Sequence, residues 1–259
     1  MPATRTAFGI DLAASVATTL LRGGMGVIAR PVERRPVLLF ELYDFEACPY
    51  CRLVREALTE LDLDTLVYPC PKGGTRYRPR VLELGGKLQF PFFVDPNTGT
   101  RLYESAAMIR YLFETYGSGS VPLHWQWVGA QQLGSGLAGL TRQRAGRRVA
   151  AAHAALAPEQ PLELYSFESS PFARLVRERL CELELPYVLR SCGRVDLREW
   201  VPPRLRDFLS IEARPETVNR RALESRAGRI SIPYLVDPNT GAAMAESREI
   251  LAYLDANYA

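Results

Sequence analysis

Hydrophobic positions along the chain change period several times, and the changes mark elements. Val37 to Tyr43 is a short β-branched and aromatic run, which predicts a strand. Beyond a brief loop, Leu53, Val54, Ala57, Leu58 and Leu61 recur at helical spacing. That spacing predicts a helix from about Pro49 to Leu61, with proline in its first turn. Thr65 to Tyr68 reads as a second strand and Phe90 to Val94 as a third. Asp95 to Gly99 reads as a turn into a short fourth strand, and Glu104 to Tyr116 as a helix stopped by Gly117.

The same pattern returns farther along. Glu41 to Glu56 matches Glu163 to Glu178 at an offset of 122, and Phe90 to Gly99 matches Ile232 to Gly241 at an offset of 142. The second copy therefore holds 20 extra residues, which fall between Arg190 and Arg229 and predict an added helix or surface excursion. A period this long suits a duplicated domain rather than a solenoid unit. The order β-α-β, then β-β-α, resembles the thioredoxin fold. The predicted class is thus α/β, two tandem thioredoxin-like domains, each a four-stranded mixed sheet flanked by helices. Expected boundaries are a helical lead-in at 1–35, a first domain at 36–117, a partly helical linker at 118–160 and a second domain at 161–259.

Two segments outside the copies also carry a pattern. Ile10 to Ala29 is rich in Ala, Val, Leu and Gly, but Asp11 and Arg22 interrupt it, so it falls short of a membrane span of roughly 20 apolar residues. Asp11 or Ser15 is the expected N-cap of a short helix ending near Arg22, before Gly23 and Gly24. A second helix is expected around Trp125 to Leu140. Leu137 to Gly146 weakly echoes Ala17 to Gly26, as if the duplicated unit included a lead-in helix.

Charge narrows the partners. The 32 basic and 29 acidic residues are mixed along most of the 259-residue chain, leaving a net charge of +3 and no broad field for nucleic acid. Small molecules or protein thiols are the better fit. Five cysteines (48, 51, 70, 181 and 192) are too sparse and odd a set for a secreted disulfide framework, so a reducing, cytoplasmic setting is expected. No metal site is expected, because Cys70, Cys181 and Cys192 form no second pair and His124 and His153 are isolated. Cys70 and Cys181 read as packed hydrophobes, and Cys192, in a polar segment, as an exposed thiol.

Cys48 falls where a strand ends and a helix begins, so its sulfur would face unsatisfied backbone N–H groups and the positive end of the helix dipole. Lowering a thiol from roughly 8.5 to about 5 takes ~5 kcal/mol of preferential anion stabilisation and makes it almost fully thiolate at neutral pH. Cys51, one helical turn on, is placed to attack a mixed disulfide formed at Cys48. This is the chemistry of thiol–disulfide exchange.

Cys48-Pro49-Tyr50-Cys51 is similar to the active site of dithiol glutaredoxins, and Arg52-Leu53-Val54-Arg55 resembles the first helix of glutathione transferases. The resemblance implies Cys48 and Cys51 as catalytic residues and glutathione as co-substrate. It implies Tyr50, Phe90, Pro91, Glu104 and Ser105 as glutathione-binding residues. Phe90-Pro91 would be the family's cis-proline step, and Glu104-Ser105 would hold the γ-glutamyl group at a helix N-terminus, where capping alone could also account for them. Lys72, Arg76 and Lys87 could meet the glycyl carboxylate or simply face solvent.

In the second copy Ser170 stands for Cys48 and Ala173 for Cys51, which removes dithiol exchange. Ser170 to Arg177 resembles the serine-type glutathione transferases, and the implied second site is Ser170, Phe172, Ile232, Pro233, Glu246 and Ser247. A decayed copy kept for packing fits equally well. Three functions stay open: a thiol–disulfide oxidoreductase through Cys48 and Cys51, a transferase or isomerase using glutathione held at Ser170, and a module binding glutathione or an iron–sulfur cluster.

Overall fold

A computed structural model of the chain describes residues 5–142, 144–150, 157–196, 208 and 217–259. The first copy runs β1 (Phe40–Asp44), α2 (Pro49–Glu60), β2 (Thr65–Pro69), α3 (Arg78–Gly85), β3 (Phe92–Asp95), β4 (Thr100–Tyr103) and α4 (Ser105–Thr115). The second repeats it as β5 (Leu162–Ser166), α7 (Pro171–Glu182), β6 (Tyr187–Ser191), α8 (Val218–Ala227), β7 (Tyr234–Asp237), β8 (Ala242–Ala245) and α9 (Ser247–Tyr258). A lead-in helix α1 (Arg5–Leu21) precedes the first copy, and α5 (Leu123–Gln126) and α6 (Val128–Gly139) connect the two.

Within each copy two strands pair parallel through the α2 or α7 crossover, and an antiparallel hairpin completes a four-stranded mixed sheet. The two sheets then join. Strand β2 pairs antiparallel with β6, giving one eight-stranded sheet in the order β4-β3-β1-β2-β6-β5-β7-β8. The seam centres on Leu66 opposite Val188, which are equivalents under the 122-residue offset, so it has a local twofold relation. Joining removes one exposed sheet edge from each copy. It also shares apolar packing, because Val67 of β2 is buried in the core of the second copy with Leu164, Leu189 and Leu235.

The lead-in helices cross over. Helix α1 packs on α7 of the second copy, while α6 packs on α2 of the first, and α1 and α6 pack on each other. The contacts repeat at an offset of 120. Ser15 Oγ donates to Pro171 O at 2.8 Å, and Ser135 Oγ to Pro49 O at 2.7 Å. Gly26 and Gly146 end the two crossings with φ of +75° and +63°. A Cβ there would lie 2.8 Å from Glu168 Cβ and 2.7 Å from Glu46 Cβ, so only glycine suits either place.

Several expectations need correction. Helix α1 begins at Arg5, not at an Asp11 or Ser15 cap, and Ser15 is instead buried against α7. Val37 and Leu38 are exposed and outside β1; Asn97 Oδ1 accepts both of their N–H groups, which ties them to the β3–β4 turn instead of a ladder. Phe90 and Pro91 precede β3, because their peptide bond is cis and proline offers no N–H to the ladder. Cys192 is fully buried, since its backbone N–H bonds Ser166 O beside β5. Most of the 20-residue insertion, and His153, lie outside the described residues.

Candidate functional site

Cys48 is the N-cap of α2. Its backbone is extended (φ −75°, ψ 120°), Pro49 fills the first helical position, and its Sγ accepts the Cys51 backbone N–H at 3.4 Å. Proline at this point gives up an N–H that the helix would leave unbonded in any case. The Cys48 thiol is held below its ordinary value, first by a hydrogen bond from the Cys51 side chain and then by the Cys51 and Tyr50 N–H groups, against the cost of burial. Burial pushes the Cys51 thiol well above its ordinary value, and the donation to Cys48 adds to it. The pair is therefore polarised, one sulfur favouring the anion and the other keeping its proton. Burial likewise raises Cys70, Cys181 and Cys192, and all five cysteines are free thiols.

Around Cys48 the loop from β1 is closed by Cys48 N–H donating to Phe45 O at 3.0 Å. The Phe45 ring meets Phe90 edge-on with centroids 6.2 Å apart, which places the residue before cis-Pro91 beside the cysteine loop. The Arg78 guanidinium lies 4.8 Å over Phe90 and donates to Cys70 O. Tyr50 is half exposed. Glu104 takes φ +70° immediately before α4, an uncommon backbone state for a residue with a side chain, and its carboxylate accepts from Gln89 Nε2. Ser105, in the first turn of α4, is buried. Neither Glu104 nor Ser105 is hydrogen-bonded to Cys48 among the described residues. Arg76 is committed to Glu184 of the second copy, and Lys87 lies over the Tyr103 ring.

The second copy reproduces the frame with other chemistry. Ser170 caps α7, its Oγ accepting the Ala173 N–H at 3.2 Å. Ile232–Pro233 is cis and Glu246 takes φ +68°. Ser170, Phe172 and Ile232 line a cavity of about 490 Å³ together with Phe167, Arg194 and Arg220. Pro233, Glu246 and Ser247 do not line it; the last two stand at the start of α9. Arg220 and Arg194 correspond to Arg78 and Lys72 at offsets of 142 and 122, so the two copies place cations at equivalent sequence positions. Arg78 and Arg220 were not singled out by the motifs. The signal that finds them is their shared place within the repeat.

Beneath the sites lies a second constellation that motif reading missed. Arg55 and Arg177, equivalent residues of α2 and α7, are fully buried and face Glu46 and Glu168. Arg55 Nε donates to Glu168 Oε2 at 2.9 Å and Arg177 Nη2 to Glu46 Oε1 at 3.0 Å, so each arginine reaches the other copy's glutamate. Asp44 also accepts from Arg55 as an ion pair, whereas its equivalent Ser166 carries no charge and accepts from Arg177 at 2.9 Å. Burial raises the Glu168 carboxyl, but Arg177 and Arg55 outweigh it and bring it to about 2. Asp44 goes the other way, burial pushing it up to about 6 against Arg55. Buried Arg22–Glu56 and Arg142–Glu178 pairs flank this network.

With this geometry in hand, three comparisons with known proteins bear on identity. The family model described as glutathione S-transferase, N-terminal domain, matches residues 42–120 and again 164–259. No curated protein matches the chain. A solved structure of a glutathione transferase from Bombyx mori is 30% identical over 33% of this chain and 39% of that one, with a TM-score of 0.28. The chain thus spans well under half the length of that structure.

Proposed function

Because the chain belongs to the glutathione S-transferase N-terminal domain family and carries that domain twice, we propose that it is a glutathione-linked thiol–disulfide oxidoreductase working through Cys48 and Cys51. The observation that carries the reading is the polarised cysteine pair at the α2 N-terminus. The Cys48 thiolate attacks one sulfur of a disulfide, forming a new S–S bond and expelling the other sulfur as a thiolate that takes up a proton. Cys51 then loses its proton and attacks Cys48 Sγ. The second thiol leaves, and a Cys48–Cys51 disulfide remains. Two glutathione molecules return it to the dithiol, ending as one glutathione disulfide. Phe90, cis-Pro91 and Tyr50 would form the groove for the cysteinyl part of glutathione, and Glu104 and Ser105 would take its γ-glutamyl end.

The cavity at Ser170 favours a second reading for the other copy, in which it holds glutathione without exchanging disulfides. A reducing compartment suits both roles. Among the described residues no helix is long and apolar enough to cross a membrane. The test is reduction of a glutathionylated peptide by the full chain. Cys48→Ser should lower the rate on the order of 10³-fold while Ser170→Ala leaves it within a few-fold. Equal rates for wild type and Cys48→Ser would remove the assignment.

A further inference from the structure

The crossing of α1 and α6 delivers a short strap to each site from outside that copy. After Gly26 the chain runs along the second copy, where Arg194 N–H donates to Val27 O at 2.8 Å and Ala29 N–H to Arg194 O at 2.8 Å. After Gly146 it runs along the first, where Lys72 N–H donates to Arg147 O at 2.7 Å and Val149 N–H to Lys72 O at 3.2 Å. Both are single parallel bridges, Ile28 with Arg194 and Arg148 with Lys72. Val27 and Arg147, like Ile28 and Arg148, therefore hold equivalent places under the 120-residue offset. The straps also abut the capping residues. Gly26 O accepts from Ser169 N–H at 3.1 Å and Gly146 O from Ala47 N–H at 3.5 Å, each donor lying one residue before its cap.

With the backbone equivalent, the difference in side chains becomes informative. Val27 is buried in the wall of the cavity at Ser170. Its counterpart beside the Cys48 loop is Arg147, exposed like its neighbour Arg148 and their bridge partner Lys72. No ion pair engages any of these three cations among the described residues. Carboxylates that meet the strap or the loop it pairs with are already engaged: Glu182 accepts from Gly146 N–H at 3.0 Å, and Glu184 from the N–H groups of Thr75 and Arg76 at 3.2 and 3.1 Å. Arg78, over the Phe90 ring, adds a fourth positive charge near the cysteine loop.

We propose that the strap makes the first site selective for peptide disulfides whose cysteine is flanked by acidic side chains, with Lys72, Arg147 and Arg148 as the residues that select them. This selectivity rests on the exchange proposed at Cys48. The Cys48 thiolate bonds to the peptide's sulfur, and the other half of the disulfide leaves as a thiolate and takes up a proton. Exposed cations steer an anionic partner more than they hold it, so the selectivity lies in the encounter and weakens with salt. The second site, with Val27 and Ile28 in the same places, lacks it.

The test is stoichiometric release of thiopyridone by the full chain from thiopyridyl-capped cysteinyl peptides that differ only in flanking glutamate or lysine, with mercaptoethanol as the reference thiol. Relative to that reference, wild type should react with the glutamate peptide about tenfold faster than with the lysine peptide in dilute buffer. The preference should fall towards unity in about 1 M salt, where the screening length is roughly 3 Å. Arg147→Val with Arg148→Ile gives the first strap the side chains of the second and should shrink the preference to about threefold, since Lys72 remains. Arg147→Lys with Arg148→Lys should keep it. Equal wild-type rates for the two peptides would overturn the proposal, as would a preference that survives intact in the folded Arg147→Val, Arg148→Ile variant. Should that variant fail to fold, the salt series decides, and a preference that ignores salt would overturn the proposal. Release from neither peptide would sink the oxidoreductase reading as well.

Discussion

Cys48 and Ser170 occupy one structural position in two copies of one domain, and what surrounds them is nearly the same. Both cap the first helix of their copy ahead of proline, both accept the N–H three residues on, and both copies have a cis X–Pro step and a glutamate at positive φ. The backbone frame therefore cannot be what separates them. Beyond the exchange of Cys48 for Ser170, two of the substitutions change the polar groups around the capping atom. Cys51 gives Cys48 a side-chain donor where Ala173 gives Ser170 none, and Asp44 puts a carboxyl near the cysteines where Ser166 puts a hydroxyl. A duplicated fold has kept the capping geometry of its site twice and the cysteine pair once.

The largest expected effect concerns what the copies share. Glu168 lies between Arg55 and Arg177, so Glu168→Gln removes a counter-charge from two buried guanidinium groups at once. Breaking such a network costs about 3–5 kcal/mol, read as a lowered urea midpoint of the whole chain. Unfolding in two separate steps, with one copy unchanged, would show that the network does not fuse them.

The next test probes Asp44, which only the first copy has. Its folded value of about 6 lies above the ordinary 3.8. A carboxyl raised in this way contributes stability that is full below pH 4 and lost as pH rises through about 6, on the order of 3 kcal/mol across that window. Asp44→Asn should flatten the dependence of stability on pH between 4 and 6. An unchanged slope would assign the titration elsewhere.

A smaller effect sharpens the comparison of the sites. Ser170→Cys should give a thiol with a lowered alkylation pKa, yet lowered less than that of Cys48, because Ala173 has no S–H to donate. Equal values would mean the backbone alone sets the thiolate. The smallest effect is strain. Glu104→Gly and Glu246→Gly should each stabilise the chain by about 1 kcal/mol, since glycine accepts a φ near +70° without strain. Weaker glutathione binding in Glu104→Gly would tie the Glu104 side chain to the ligand.

Much of this was legible in the sequence, and the reasons are local. Cys48 before proline, Gly99 after a turn and the recurrence of Glu41 to Glu56 each carry their structural meaning within a few residues. The β2–β6 seam and the crossing of α1 and α6 were not legible, because a strand edge looks the same whether solvent or another copy covers it. Ser15 resembles a helix cap in sequence for the same reason: its partner, Pro171 O, is 156 residues away. The ionic core was hidden in plain pattern. Glu46, Arg52, Arg55 and Glu56 read as the polar face of an amphipathic helix and its lead-in, yet Glu168, Arg174, Arg177 and Glu178 repeat every one of them. Charges so repeated in both copies were a sign of burial at the twofold.

The proposed exchange chemistry depends on the protonation of one sulfur, and ultraviolet absorbance of thiolate during a pH titration reads it directly. Burial raises the other four thiols, so wild type should show a single thiolate transition below the ordinary thiol value of roughly 8.5, absent from Cys48→Ser. A first transition at or above that value, or one that persists in Cys48→Ser, would contradict it.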